Sequence, residues 1–279
     1  MMSNLTPILF GLLSAFTWGA GDFSGGLATK RSSVYSVIIA SQFVGAILLF
    51  GLTFICREVM PPIDKLVWGA IGGMSGALGI VCLYRALAIG RMGVAAPVSA
   101  VTAGVIPVIA GLFLQGSPKT TQVFGFGFAL IGVWLISRSD DGAIGLAGLK
   151  LPFVAGIGFG FFLLLINRVS VDVIVWPLVA ARWGSLTIIL IYAAVTGQFA
   201  LPSRDRLTLI ALAGALDSTG NAFYALAGQI GRLDVAAVLS SLYPASTVGL
   251  ARTILKERIT RIQSIGIAAV LIAIVLITI

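Results

Sequence analysis

Residues 90–96 read GRMGVAA and residues 231–237 read GRLDVAA, five identities in seven positions at a separation of 141 residues. The same shift, with no gap, lays MPPIDKL (60–66) on LPSRDRL (201–207), matching Pro61 with Pro202, Asp64 with Asp205 and Leu66 with Leu207. It also pairs Gly19 with Gly160, Ser99 with Ser240, Gln122 with Gln263 and Gly125 with Gly266. Agreement at separate places under a single shift marks an internal duplication. The chain divides into a first repeat, 1–141, and a second, 142–279.

Composition says what each repeat contains. Of 279 residues, 58% are hydrophobic and 10% charged, with a mean hydropathy of +1.08. A soluble domain averages about 25% charged residues. Apolar runs cover Ile8–Ala28, Val34–Cys56, Leu66–Tyr84, Val94–Leu114 and Val123–Ser137, then Leu151–Asn167, Val173–Ala194, Leu207–Ile230, Val235–Ala251 and Ile262–Ile279. Most approach or exceed the roughly 20 residues that cross ~30 Å of hydrocarbon at ~1.5 Å per residue. None alternates apolar with polar side chains as barrel strands do. The reading is an all-α integral membrane protein of ten transmembrane helices. Five helices per repeat is an odd number, so the second copy enters the membrane from the opposite face. Inverted five-helix repeats recur in secondary transporters, where interchangeable halves let a central site face either side in turn. A channel descended from a dual-topology ancestor is the other route to this layout.

Several function classes drop out. The joints, such as Met60-Pro61-Pro62 and Leu201-Pro202-Ser203, leave no room for a soluble domain. The amino terminus lacks the basic region of a signal peptide, so the first run reads as a retained helix. The chain has no histidine, which removes imidazole metal sites, Ser-His-Asp triads and imidazole proton relays. Cys56 and Cys82 fall in or beside apolar helices and define no disulfide framework. The glycines at 156–160 form no nucleotide loop, because no strand precedes them and no lysine follows. Neither a metal nor a cofactor is expected. The net charge of +8 reads as anchoring against anionic lipid and not as nucleic-acid binding. Without a carboxylate cluster to hold a metal, a membrane-embedded enzyme has little to work with.

Ionisable residues inside hydrocarbon cost ~2.5–3.5 kcal/mol on insertion scales, so they face a cavity or a partner. Five are read as lying inside the spans: Asp22, Arg182 and Asp217 within the apolar runs, and Arg85 and Arg252 where theirs end. In the eighth run Gly214, Asp217, Asn221, Tyr224 and Gly228 step by three and four residues and form one stripe. A polar stripe of that period must face protein or water. Trp18 and Asp22 share a face of the first run, and Ser240 opens a similar rhythm in the ninth. Gln42 adds an amide in the second. Asp22 and Asp217 are therefore the candidate proton- or ion-coupling groups, and Trp18, Gln42, Asn221, Tyr224 and Ser240 the candidate solute contacts. A carboxylate in an apolar setting can couple proton loading to opening. The structural alternative is that Asp22 pairs with Arg85, at similar depth. Arg182 and Arg252 read as snorkelling to an interface, and Trp18 and Trp183 fit an aromatic belt equally well.

These residues resemble the EamA-type branch of the drug/metabolite transporter superfamily. The likeness is carried by WGAGDF (18–23), YRALAIGRMGVAAPV (84–98), its echo FYALAGQIGRLDVAAVLSSLYP (223–244) and LKERIT (255–260), and it spans essentially the whole chain. It implies a carrier, commonly an exporter of amino acids, other metabolites or drugs, in the cytoplasmic (inner) membrane of a bacterium. It also implies a basket in which the third, fourth, eighth and ninth helices surround a cavity and the fifth and tenth lie peripherally. At the repeat offset Gly116 faces Glu257, so the first half lacks the glutamate of the tag. The resemblance implies cytoplasmic termini. Loop lysines and arginines number ten on the side away from the termini and five on the near side, and the positive-inside rule then places the termini outside. The expected partners are a small-molecule solute and membrane lipid, with a homodimer left open. A lipid flippase or a channel on the same scaffold is the alternative function.

Overall fold

The computed structural model describes residues 2–88, 92–136, 146–198, 200–255 and 260–278, and all of the regular structure in them is helical. The first repeat supplies α1 (Met2–Thr29), α2 (Val34–Cys56), α3 (Ile63–Ala88), α4 (Met92–Leu114) and α5 (Thr120–Ile136). The second supplies α6 (Leu146–Val169), α7 (Val175–Val195), α8 (Leu207–Ile230), α9 (Leu233–Ser240), α10 (Tyr243–Leu255) and α11 (Arg261–Thr278), with a short 3-10 turn at Arg204–Arg206. Helices are what the composition demands, since hydrocarbon offers no partner to a backbone N–H or C=O. Among the described residues, four segments are long and apolar enough to cross a membrane outright: Val34–Cys56, Ile63–Ala86, Lys150–Val169 and Val175–Val195. Helices α1 and α8, at 28 and 24 residues, have the length but carry acids and amides. The outer surface is apolar, with Phe54, Phe113, Val195 and Leu271 among its exposed side chains, as a lipid-facing exterior requires.

The packing repeats when the halves are exchanged. Helix α1 lies along α8, and α6, its counterpart, lies along α3, the counterpart of α8. Helices α2 and α7 pack on each other, as do α4 and α9 and also α5 and α11, the pairs that exchange converts into themselves. The partners run antiparallel. Pro7 of α1 lies against Gly231 beyond the end of α8, Trp18 against Gly220, and Gly21 against Asp217. On the other side Gly72 meets Leu165, Gly76 meets Phe162 and Gly79 meets Phe159. Glycine is needed at the tightest crossings. A Cβ on Gly73 would strike the Ala181 carbonyl, and one on Gly214, 141 residues later, would strike that of Ser41.

The ninth span differs from the single helix expected. It is broken after Ser240, and α10 restarts at Tyr243. Pro244 has no N–H, so the Ser240 carbonyl cannot receive its usual helical bond. The Leu242 amide turns to Leu239 O at 3.2 Å, and the Ser241 hydroxyl donates to Ala237 O at 2.7 Å. In the first half Ala103 stands at the matching position, and α4 runs unbroken.

Polar clasps close the end that holds the amino terminus. The Glu58 carboxylate accepts from the amides of Ile174 and Val175, both at 2.9 Å, and Trp176, at 3.3 Å, which caps the start of α7. Arg232 pairs with the fully buried Asp234 at 2.8 Å and donates to Gly116 O at 2.9 Å. Gly116 has φ +76°, a left-handed turn in which a glutamate would be strained.

Candidate functional site

A cavity opens between the repeats, with about 90 Å³ available to the centre of a water molecule. That is room for several waters or a small organic solute. Asp22 comes from α1, Gln42 from α2, Arg182 from α7, and Asp217 and Asn221 from α8. Ser241 reaches it from the break between α9 and α10.

The opened ninth span and the register of α1 on α8 put these groups at one level. Gly21 sits against the Asp217 backbone with no side chain between, so Asp22 and Asp217 face the same space from neighbouring helices. Arg182 enters from α7 and forms an ion pair with Asp217, Nη2 lying 2.5 Å from Oδ2. Its Nη1 donates to Gln42 Oε1, and Gln42 Nε2 donates to Ser185 Oγ at 2.9 Å. Trp18 Nε1 donates to Asn221 Oδ1 at 3.1 Å, which leaves the Asn221 amino group as a donor for another partner. The Trp18 ring stacks on Tyr224 at 5.9 Å and meets Tyr243 edge-on at 6.5 Å. Asp22 makes no hydrogen bond or ion pair among the described residues. The wall thus carries two carboxylates and one guanidinium, and the guanidinium belongs to Asp217. That arrangement can hold a cation or a proton at Asp22.

Trp18, Asp22, Gln42, Asp217 and Asn221 meet around this one space. Four expectations need correction. Tyr224 does not reach the cavity: it is fully buried and donates to Leu163 O at 2.9 Å, because α6 covers that end of the α8 stripe. Ser240 is also fully buried, with its hydroxyl turned to Gly11 O at 3.4 Å, and the next residue, Ser241, takes the cavity position. Arg85 does not pair with Asp22. Its guanidinium lies over the Tyr35 ring at 5.4 Å and donates to Tyr192 Oη at 3.3 Å. Arg182 does not snorkel; at 6% exposed it points inward, where Asp217 compensates its charge. The Arg252 side chain lies outside the described residues. Trp183 faces outward and fits the belt reading.

Cavity residues that the polar stripes do not mark include Ile80, Phe159, Phe162, Leu163 and Tyr243. The repeat offset was the available signal: it carries Trp18 onto Phe159, Asp22 onto Leu163 and Asn221 onto Ile80. The cavity is also more widely shared than the third, fourth, eighth and ninth spans, since α1, α2, α6 and α7 contribute to it as well. Helices α5 and α11 stay peripheral and line none of it.

The model of the EamA-like transporter family matches residues 5–138 and again residues 146–279. An uncharacterised protein of Methanocaldococcus jannaschii is 26% identical over 136 residues, which are 48% of this chain and 98% of that protein. That relative therefore has the length of one repeat. A solved crystal structure is similar in fold, with a TM-score of 0.77 and 16% identity over 97% of this chain and 95% of that one.

Proposed function

The chain belongs to the EamA-like transporter family, a group of membrane transporters, and on that premise we propose that it is a secondary-active carrier exporting a small amphipathic metabolite, such as an amino acid, or a drug. It works by alternating access, as two inverted bundles rock about the cavity they share. Its setting is the cytoplasmic membrane of a bacterium. The sequence has no nucleotide-binding loop, so a proton or cation gradient, or the gradient of the solute itself, supplies the energy.

One observation carries this reading. Asp22 faces the cavity without a partner among the described residues, while the neighbouring Asp217 is neutralised by Arg182. A carboxylate so placed is stable only if a proton or a cation accompanies it. Loading and unloading that companion on opposite sides of the membrane couples its gradient to the solute. Gln42 and Asn221 supply hydrogen bonds, and Trp18 supplies a flat face.

The test is counterflow of a metabolite panel into proteoliposomes, with and without an imposed pH gradient, for the wild type and Asp22→Asn. The wild type should accumulate its solute under the gradient. Asp22→Asn should reconstitute as a folded protein and lose gradient-dependent accumulation. Full accumulation by Asp22→Asn would remove Asp22 from the mechanism, and flux far above carrier rates would identify a channel instead.

A further inference from the structure

The cavity is built on a symmetric frame but lined asymmetrically. Four pairs of positions related by the 141-residue offset line it together: Trp18 with Phe159, Asp22 with Leu163, Gly76 with Asp217, and Ile80 with Asn221. Their equivalence is structural as well as sequential. Gly79 takes the Phe159 ring against its backbone as Gly220 takes that of Trp18, and the α3–α6 pair is the α8–α1 pair with the halves exchanged. In every pair the member on α1 or α8 is polar and the member on α3 or α6 is not. One wall thus offers a carboxylate, an ion-paired carboxylate and an amide. The wall related to it by the pseudo-two-fold offers only hydrocarbon, aromatic carbon and the bare backbone of Gly76.

We propose that Ile80, Phe159 and Leu163 form an apolar subsite that selects solutes with one ammonium-bearing end and a hydrocarbon body, the ammonium lying against Asp22. The proposal rests on the carrier reading and says which part of the cargo each wall receives. The cation follows from charge: Asp217 is matched by Arg182 within the site, whereas Asp22 is not. The hydrocarbon body follows from the α3–α6 wall, whose Ile80, Phe159 and Leu163 can satisfy no second charged or hydrogen-bonding end. Burying such an end there without a partner costs more than any contact it gains. Apolar surface placed on Phe159 and Leu163 is instead favoured in proportion to the area removed from water.

The test is calorimetric binding to the full-length protein in lipid nanodiscs with three probes: ethylammonium, 2-phenylethylammonium and 1,4-butanediammonium. The wild type should bind 2-phenylethylammonium at least about tenfold more tightly than either of the others. Ile80→Asn, which installs the side chain of its pseudo-symmetric partner, should narrow the preference for 2-phenylethylammonium over 1,4-butanediammonium by about tenfold or more. Phe159→Ala should weaken 2-phenylethylammonium about tenfold more than it weakens ethylammonium, which keeps the test decisive if the first variant fails to fold. Equal affinity of the wild type for 1,4-butanediammonium and 2-phenylethylammonium would overturn the proposal. So would binding of none of the three. If the counterflow panel still finds a cargo in that case, the carrier reading stands and only the subsite falls; if it finds none, both fall.

Discussion

Arg182 and Asp217 provide the sharpest quantitative test of the cavity's electrostatics. Arg182 is 6% exposed and lies 2.5 Å from Asp217, whose side chain is 32% exposed to the cavity. Asp217→Leu would leave the guanidinium with Gln42 as its remaining side-chain acceptor. Breaking a buried pair costs about 3–5 kcal/mol, and the partial exposure of Asp217 lowers that to about 2–3 kcal/mol here. Arg182→Met should cost about 2 kcal/mol by the same reasoning, less because the carboxylate left behind can take up cavity water. The double variant replaces both charges with apolar groups and should be destabilised by less than the sum of the singles, by about 1.5–3 kcal/mol. The assay is equilibrium unfolding by denaturant in mixed micelles, followed by tryptophan fluorescence. Additivity within about 0.5 kcal/mol would refute the buried pair and return Arg182 to the membrane interface.

Further outcomes follow from the packing. Gly214→Val puts a branched side chain onto the Ser41 carbonyl, and it should halt folding or cost more than about 3 kcal/mol in the same assay, whereas valine at Gly127, which has open space around it, should be tolerated. Glu58→Ala removes the acceptor of three amides at the start of α7, those of residues 174–176, and should cost about 1–2 kcal/mol, read as faster local amide exchange there. Tyr224→Phe deletes a bond to Leu163 O and should lower stability by about 1 kcal/mol while leaving the apparent affinity for the solute within about twofold.

The duplication and the hydrophobic runs made the architecture legible, because the bilayer admits few ways to satisfy a backbone and the offset of 141 fixes how the halves relate. The site was legible only in part. The stripe on α8 has helical spacing along its whole length, yet it serves different neighbours in turn. Gly214 packs on α2, Asp217 and Asn221 face the cavity, Tyr224 lies under α6, and Gly228 lies against Asn167. Periodicity reports that a face is not in lipid and cannot say which neighbour covers each turn. Arg182 was misplaced for a related reason. It lies seven residues into α7, about 10 Å along the axis, and a side chain that long can reach outward or inward. Only the position of Asp217 decides between them. The break in the ninth span has its cause in Pro244, but the sequence does not show which serine turns toward the cavity.

The central claim is that a hydrated cavity between the inverted repeats opens alternately to the two sides of the membrane. Its most direct test is Ser241→Cys in a chain freed of its two native cysteines by Cys56→Ser and Cys82→Ala. Membrane-impermeant methanethiosulfonate should modify Cys at this position in both right-side-out and inside-out vesicles, at rates that transported solute alters in opposite senses. Modification from one side alone, or only by a reagent that partitions into lipid, would contradict the account.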